Sequence, residues 1–283
     1  MKTSVIVATH GRPDSVRRLV ASLAPELATG SREIIVAENG TPAPIELSLE
    51  GATLKHLHEP RAGKCRIQNR AIADAAGESE ILVFLDDDLI VAPGYLEAVE
   101  WFFDTHREFA AMKGRILPAE DPEKKVGPMA VYLDLPIADH GEKVIEVRGV
   151  LGANMAFRAG VLKQVGPFDE RLGPGAGGHE EETEMSERIR RAGFRIGYAP
   201  EALVYHEVDA ARANRERFIR IARERGRCRM LHEKHSSLDV ILKNAIAMTR
   251  LRIAQLTGAG IPRIAREERR LAIARGMFDG LAG

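Results

Sequence analysis

A chain of 283 residues, 45% of them hydrophobic, is long enough for one large α/β domain or two smaller ones. Its 41 Lys and Arg balance 41 Asp and Glu, so overall charge does not point to a polyanionic partner, and nucleic acid is not an expected one. Two distant cysteines, Cys65 and Cys228, give no sign of a disulfide framework or a zinc site, and a reducing compartment fits them best.

Charge is nevertheless uneven: from Glu207 onward 17 Lys/Arg stand against 9 Asp/Glu, which leaves the first 206 residues acidic. Ser4-Val5-Ile6-Val7-Ala8 is too short for a signal-peptide core, and no uncharged apolar run reaches about 18 residues. The expected location is therefore cytoplasmic. Peripheral contact with the inner membrane face and homodimerisation stay open.

The spacing predicts a strand over Ser4 to Thr9. Behind the turn His10-Gly11-Arg12-Pro13, a helix is predicted from Val16, Leu19, Val20, Leu23 and Leu27. Glu33 to Ala37 reads as a second strand ending at Asn39-Gly40, and Leu54 to His58 as a third. Lys64 to Ala76 reads as a helix stopping at Gly77. The run Ile81 to Leu85 is a fourth strand, and Tyr95 to Phe103 is helical. This alternation implies a parallel sheet with right-handed crossovers. No GxGxxG or GxxxxGK[ST] follows the first strand, so neither a dinucleotide fold nor a P-loop is supported.

After Pro118 the segments are mixed and joined by Pro/Gly-rich connections, Ala119 to Pro128 and Gly173 to Gly178. The second connection looks like a mobile entrance to a helix with four glutamates among Glu180 to Glu184. Met185, Ile189 and Ala192 form its buried stripe, and Gly193 ends it. The helix macrodipole explains part of that acidity but not all of it. Strands are predicted over Phe194 to Tyr198 and Ala202 to Tyr205, before His206. Beyond them Arg212, Arg215, Arg220, Arg223 and Arg227 fall mainly on one helical face. A solvated face is the default for such a pattern. The alternative is an anionic acceptor or membrane surface, given the mixed-apolar helix Leu238 to Leu256.

Three aspartates, Asp86-Asp87-Asp88, directly follow the fourth strand, where ligands of α/β sheets collect. Clustered carboxylates repel unless a cation neutralises them, and hard oxygen donors suit Mg2+ or Mn2+. The alternative is an acidic turn capping the helix near Pro93-Gly94.

Several ordered blocks over residues 3 to 230 together resemble the inverting, nucleotide-sugar-dependent glycosyltransferases of family 2, which have the GT-A fold. The opening strand with Thr9, His10 and Arg12 looks like the family's nucleotide-facing loop. The second strand is similar to the one whose aspartate contacts the base; Glu38 stands there, beside Asn39. Gly63 to Ala71, with Lys64 and Asn69, resembles the family's Arg-Asn block, Gln68 replacing the arginine. Phe84-Leu85-Asp86-Asp87-Asp88 matches the DxD motif, which implies Asp88 as metal ligand, Asp86 nearer the ribose, and Asp87 in the nucleotide site. Gly152 to Arg158, with Asn154, looks like the strand bordering the acceptor. Glu181-Glu182-Thr183-Glu184 occupies the place of the Glu-Asp motif, implying Glu182 as base and Glu181 as an acceptor-orienting partner. The segment ending in His206 resembles the one near the diphosphate and metal, whereas His56 and His58 fit structural roles better.

The resemblance implies an α/β GT-A fold with a mainly parallel central sheet. Its parts would be a nucleotide-binding half (1–117), an acceptor-binding half (118–206) and a helical extension (207–283). It also implies transfer of a single sugar from a UDP-linked donor to a hydroxyl acceptor, a glycan or lipid-linked compound, with inversion and with Mn2+ or Mg2+. Absence of Gln-x-x-Arg-Trp and of membrane spans favours single addition over polymer synthesis. Rival readings are a sugar nucleotidyltransferase, which lacks support because no Arg/Lys-bearing glycine loop follows the first strand, and a non-catalytic nucleotide-sugar binder.

Overall fold

The computed structural model describes residues 1–28, 31–47, 54–75 and 79–281. In chain order the first half runs β1 (Thr3–Thr9), α1 (Pro13–Leu27), β2 (Arg32–Asn39), β3 (Leu54–Glu59), α2 (Lys64–Ala75), β4 (Ile81–Asp86), β5 (Leu89–Val91) and α3 (Tyr95–Thr105). It continues with β6 (Phe109–Pro118), α4 (Pro122–Val126), β7 (Ile145–Val147), β8 (Asn154–Arg158), α5 (Ala159–Val165), α6 (Glu181–Arg191) and β9 (Arg195–His206). Three long helices close the chain: α7 (Arg215–His232), α8 (Ser237–Leu256) and α9 (Ile261–Asp279). Each strand and helix predicted up to Phe103 is present. The predicted helix end at Ala76 and Gly77 lies outside the described residues.

Two compact units share the chain. The first comprises 1–119, 136–176 and 181–207, and the second 120–135, 177–180 and 208–283. Residues 120–135 and 177–180 thus group with the C-terminal helices.

The first unit is built on a sheet ordered β3-β2-β1-β4-β8-β6-β9-β5, with β7 paired to β9. The β1–β2, β1–β4, β2–β3 and β6–β9 pairs are parallel. Strand β8 runs antiparallel to β4 and β6, and β5 and β7 run antiparallel to β9. The parallel expectation thus holds for the first four strands, and the sheet as a whole is mixed. All of Val5 to Val7, Ile34 to Ala37 and Ile81 to Leu85 are buried, because helices cover both faces. The two strands predicted over 194–205 form one continuous strand. Gly114 pairs with Ala199 and Arg115 with Leu203, so residues around Pro200 bulge out, where a missing N–H costs the ladder nothing.

In the second unit α7, α8 and α9 pack together. A Cβ at Gly226 would lie 2.0 Å from the Ile273 carbonyl oxygen, and one at Gly276 1.9 Å from that of Arg223, so the two glycines let α7 and α9 touch backbone to backbone. Arg215 pairs with Glu268 and Arg223 with Asp279 across the same helices. Two members of the arginine face therefore tie α7 to α9 rather than await a ligand.

Candidate active site

The carboxyl ends of β1 and β4 bring the first-loop residues onto the aspartates. Thr9 Oγ1 donates to Asp87 Oδ2 at 2.7 Å, and Arg12 Nη1 donates to Asp87 Oδ1 at 2.9 Å and to Asp88 Oδ2 at 3.1 Å. Asp87 is 5% exposed. Burial raises its carboxyl above the usual range, Asp88 and Asp86 add to that, and Thr9 and Arg12 oppose it. Its side chain is held by Thr9 and Arg12. The turn does not cap a helix; it leads straight into β5.

Strand β9 delivers His206 beside Asp88, with Nε2 at 3.2 Å from Asp88 Oδ1. The other ring nitrogen lies 2.8 Å from the Glu207 carbonyl oxygen, which accepts only from an N–H. The neutral ring therefore carries its proton on Nδ1 and turns the Nε2 lone pair toward Asp88. Burial depresses the His206 pKa, and the hydrogen bond and charge of Asp88 outweigh it, so the net shift is upward. An imidazole nitrogen and a carboxylate oxygen side by side form a donor set that fits a divalent cation such as Mn2+.

Asp86 faces the other way. Its Oδ1 accepts from Lys64 Nζ at 2.7 Å, and the same ammonium stands 3.6 Å from Glu181 Oε1. Burial alone would lower the Lys64 pKa; Asp86 and Glu181 reverse this and hold it well above the ordinary lysine value. A Cβ at Gly152 would lie 3.7 Å from Lys64 Nζ, 3.7 Å from Glu181 Oε1 and 3.8 Å from the Glu182 carboxyl carbon. Lys64, Glu181 and Glu182 therefore converge on one glycine backbone, and Asp86 joins them through Lys64. Ser186 fastens this side, since its hydroxyl donates to Glu182 O at 2.6 Å and accepts from Val150 N at 3.0 Å. Glu184 is held by Arg188 at 2.7 Å one turn on, which fits a helix-stabilising role.

Three expected site residues are held by the protein's own groups. Asn154 has no exposure; Tyr95 donates to its Oδ1 at 2.7 Å, and its Nδ2 donates to Arg115 O at 3.1 Å and Ala202 O at 2.9 Å. It cross-links the sheet. Asn69 exchanges hydrogen bonds with the Phe168 backbone at 2.9 and 2.8 Å. Glu38, also unexposed, accepts from Thr41 Oγ1, Ile45 N and His56 Nε2 at 2.8, 2.9 and 3.0 Å. Burial would raise its pKa, and those donors bring it below the usual range. Glu38 thus fixes the loop after β2. Asn39 joins Thr9 O to Gly63 N, and His10 Nδ1 lies 2.8 Å from Asn39 O, so both brace the strand ends. His58 Nε2 lies 3.0 Å from Thr41 O.

Lys113 on β6 was not foreseen. Burial pushes its ammonium below the ordinary range while the charge of Glu182 opposes this. A lone lysine within Phe109 to Ile116 was its only signal.

A mixed sheet of this order, with an Asp-rich turn and a carboxylate helix start at its edge, defines a GT-A glycosyltransferase fold. The glycosyltransferase-like family 2 profile matches residues 2–227, and the chain belongs to that family. The pre-mycofactocin glycosyltransferase of Mycobacterium tuberculosis is 28% identical over 215 residues, 72% of this chain and 42% of its own length. The glucosyl-dolichyl phosphate glucuronosyltransferase of Haloferax volcanii is 25% identical over 51% of this chain and 50% of its own. The chain thus spans half or less of these two relatives. Among solved structures, S. aureus TarS 1–349 with UDP-GlcNAc aligns at TM-score 0.54 and 17% identity, covering 90% of this chain and 73% of that one. Mannosyltransferase PcManGT from Pyrobaculum calidifontis, with GDP-Man and Mn2+, aligns at 0.52 and 17%, covering 100% and 75%. These two likenesses show the fold.

Proposed function

We propose that this chain transfers one sugar from a nucleoside diphosphate donor to a hydroxyl acceptor with inversion. The observation that carries the reading is two carboxylate centres in the first unit: Asp88 with His206 and Arg12, and Glu182 with Glu181, Lys64 and Asp86. Asp88 and His206 would hold Mn2+ or Mg2+, with Asp86 adjoining; such an ion supplies Lewis-acid stabilisation to a departing diphosphate. Arg12 adds a fixed positive charge on the same side. Glu182 accepts the acceptor's hydroxyl proton as the oxygen attacks the anomeric carbon from the face opposite the leaving group. Lys64 stands between Asp86 and Glu181 and so offsets the negative charge within the second centre. Pro174 O accepts from Lys64 N at 2.8 Å, which anchors the glycine-rich connection beside this lysine and suits a cover that excludes water. Release of free nucleoside diphosphate on incubation with donor, Mn2+ and acceptor tests the reading. Pyrophosphate as product would replace it with nucleotidyl transfer, and binding without turnover with a non-catalytic role.

The donor nucleotide is proposed to be uridine diphosphate, because β2 stands where the family reads the base and Glu38 shapes the loop that follows. Titration of the four common nucleoside diphosphates should rank uridine diphosphate first; equal or tighter guanosine diphosphate binding defeats this preference.

A lipid-linked or glycan hydroxyl is the proposed acceptor, with α8 as a peripheral contact to an anionic bilayer. Leu238, Ile241, Leu242, Ile246, Ile253 and Leu256 are exposed, at 75, 50, 56, 49, 48 and 87%, whereas Val240, Ala247 and Ala254 are buried. At 3.6 residues per turn the exposed six fall within an arc of about 140°. Arg252 stands among them, and Asp239 is the only acid in the helix. This face joins apolar insertion to positive charge, the pattern of interfacial helices. Sedimentation with anionic vesicles should be strong at low salt and decline as the Debye length shortens to about 8 Å at physiological ionic strength. Absence of binding at low salt removes the membrane contact.

A further inference from the structure

The second unit contains a polar cluster that the proposed transfer reaction does not use. Glu180 is the one non-glycine residue with positive φ among the described residues, at 75°. That conformation is strained for a side-chain-bearing residue and persists where surroundings hold it. Its carboxylate is 5% exposed and its Oε2 makes no hydrogen bond. At the end of α7 the His232 side chain is 4% exposed, and neither ring nitrogen makes a hydrogen bond. His232 Nε2 stands 3.9 Å from Glu180 Oε2, and one ligand atom from each of Glu180, His232 and Glu233 falls within 4.8 Å of the others.

Protein groups do not complete this cluster. Arg229 Nε lies 3.4 Å from Glu180 Oε2 but donates no hydrogen bond to it. His235 Nε2 lies 2.7 Å from Glu233 Oε2 and holds that carboxylate in place. A buried imidazole with both nitrogens unsatisfied is costly, and a ligand would recover that cost.

We propose that Glu180, His232 and Glu233 form a second metal site, for a zinc-class divalent ion held by one imidazole nitrogen and two carboxylate oxygens. Nitrogen and oxygen ligands about 2.0–2.2 Å from a shared tetrahedral ion stand roughly 3.4 Å apart, so the observed separations close with small rotamer changes. The His235 contact to Glu233 orients a ligand, as outer partners of metal sites do. Such an ion clamps the segment 177–180 to the end of α7 and supplies the interaction that holds Glu180 in its left-handed conformation. Glu180 directly precedes Glu181 and Glu182 in the chain, so the clamp fixes the residue from which the proposed base helix starts. Cysteine spacing gave no hint of this site, because its ligands are His and Glu, drawn from segments some fifty residues apart.

The experiment uses full-length protein carrying Asp88→Ala, which disables the proposed donor-side metal site. Zinc chloride is added to metal-free protein, the mixture is desalted, and retained zinc is counted alongside the Tm. One retained equivalent and a raised Tm are expected. Adding Glu180→Gly removes a ligand while giving the position the residue its backbone favours, so this variant should fold with an unchanged or higher metal-free Tm. It should retain no zinc and show no zinc-dependent Tm rise. His232→Gln should weaken binding at least 10-fold. No retained zinc in the Asp88→Ala protein, or full retention after Glu180→Gly or His232→Gln, overturns the site.

Discussion

Asp88→Ala is expected to abolish Mn2+-dependent binding of a nucleotide sugar, and with it turnover, while the protein remains folded. Asp88 is the aspartate whose two oxygens separate Arg12 from His206, at 3.1 and 3.2 Å. Losing it leaves His206 as a single neutral donor, and one imidazole does not hold a hard divalent ion against water. Folding is less exposed. Arg12 keeps its 2.9 Å pair with Asp87, and removal of one of three adjacent carboxylates relieves repulsion on that buried group. A residual cost of about 1–3 kcal/mol fits within the stability of an ordinary domain. Isothermal titration of Mn2+ with donor, beside a thermal melt, checks both halves. Undiminished Mn2+-dependent turnover would falsify the metal assignment. Asp86→Ala should act differently: it frees Lys64 toward Glu181, 3.6 Å away, so it should weaken donor binding and disturb the base region together.

The fold of the first half was legible because buried strands write themselves as apolar runs and the turns between them carry Gly, Pro and Asn. Strand β5 was not legible. Leu89-Ile90-Val91 is three residues long, follows the aspartates without a turn signal, and exists because it pairs with Val204 to His206 far along the chain. The bulge near Pro200 was misread as a strand break for the same reason, since its partner strand β6 lies about 85 residues earlier. The site divides along the same line. Asp88, His206, Lys64 and Glu182 sit at element ends, where local pattern and family resemblance point together. Asn154, Asn69 and Glu38 were assigned to ligands, yet their partners are mostly backbone or side-chain groups 39–99 residues away for the asparagines and up to 18 for Glu38. A polar residue at a strand end looks the same in sequence whether it meets a substrate or closes a buried hydrogen bond. The distinction rests on burial and satisfied partners, which only the folded chain displays.

Glu182→Gln is expected to lower turnover by about 10²–10⁴-fold with little change in donor or Mn2+ affinity, the loss typical of a removed general base. The substitution keeps the size of the side chain and removes its capacity to take a proton. Glu182 is partly exposed; Glu181 is 4% exposed and faces Lys64, and Glu184, also partly exposed, is held by Arg188 at 2.7 Å. Glu184→Gln should therefore cost stability of the α6 start more than turnover. Glu181→Gln should shift Lys64 toward Asp86 alone and act through positioning, raising KM for the acceptor more than it lowers kcat. Steady-state kinetics under conditions where chemistry limits the rate separate the three. Near-wild-type turnover of Glu182→Gln combined with a deep loss in Glu181→Gln would move the base one residue earlier. That outcome would place the base on the buried carboxylate that already faces Lys64 at 3.6 Å, and the greater exposure of Glu182 to an incoming hydroxyl is the physical reason for placing it one residue later.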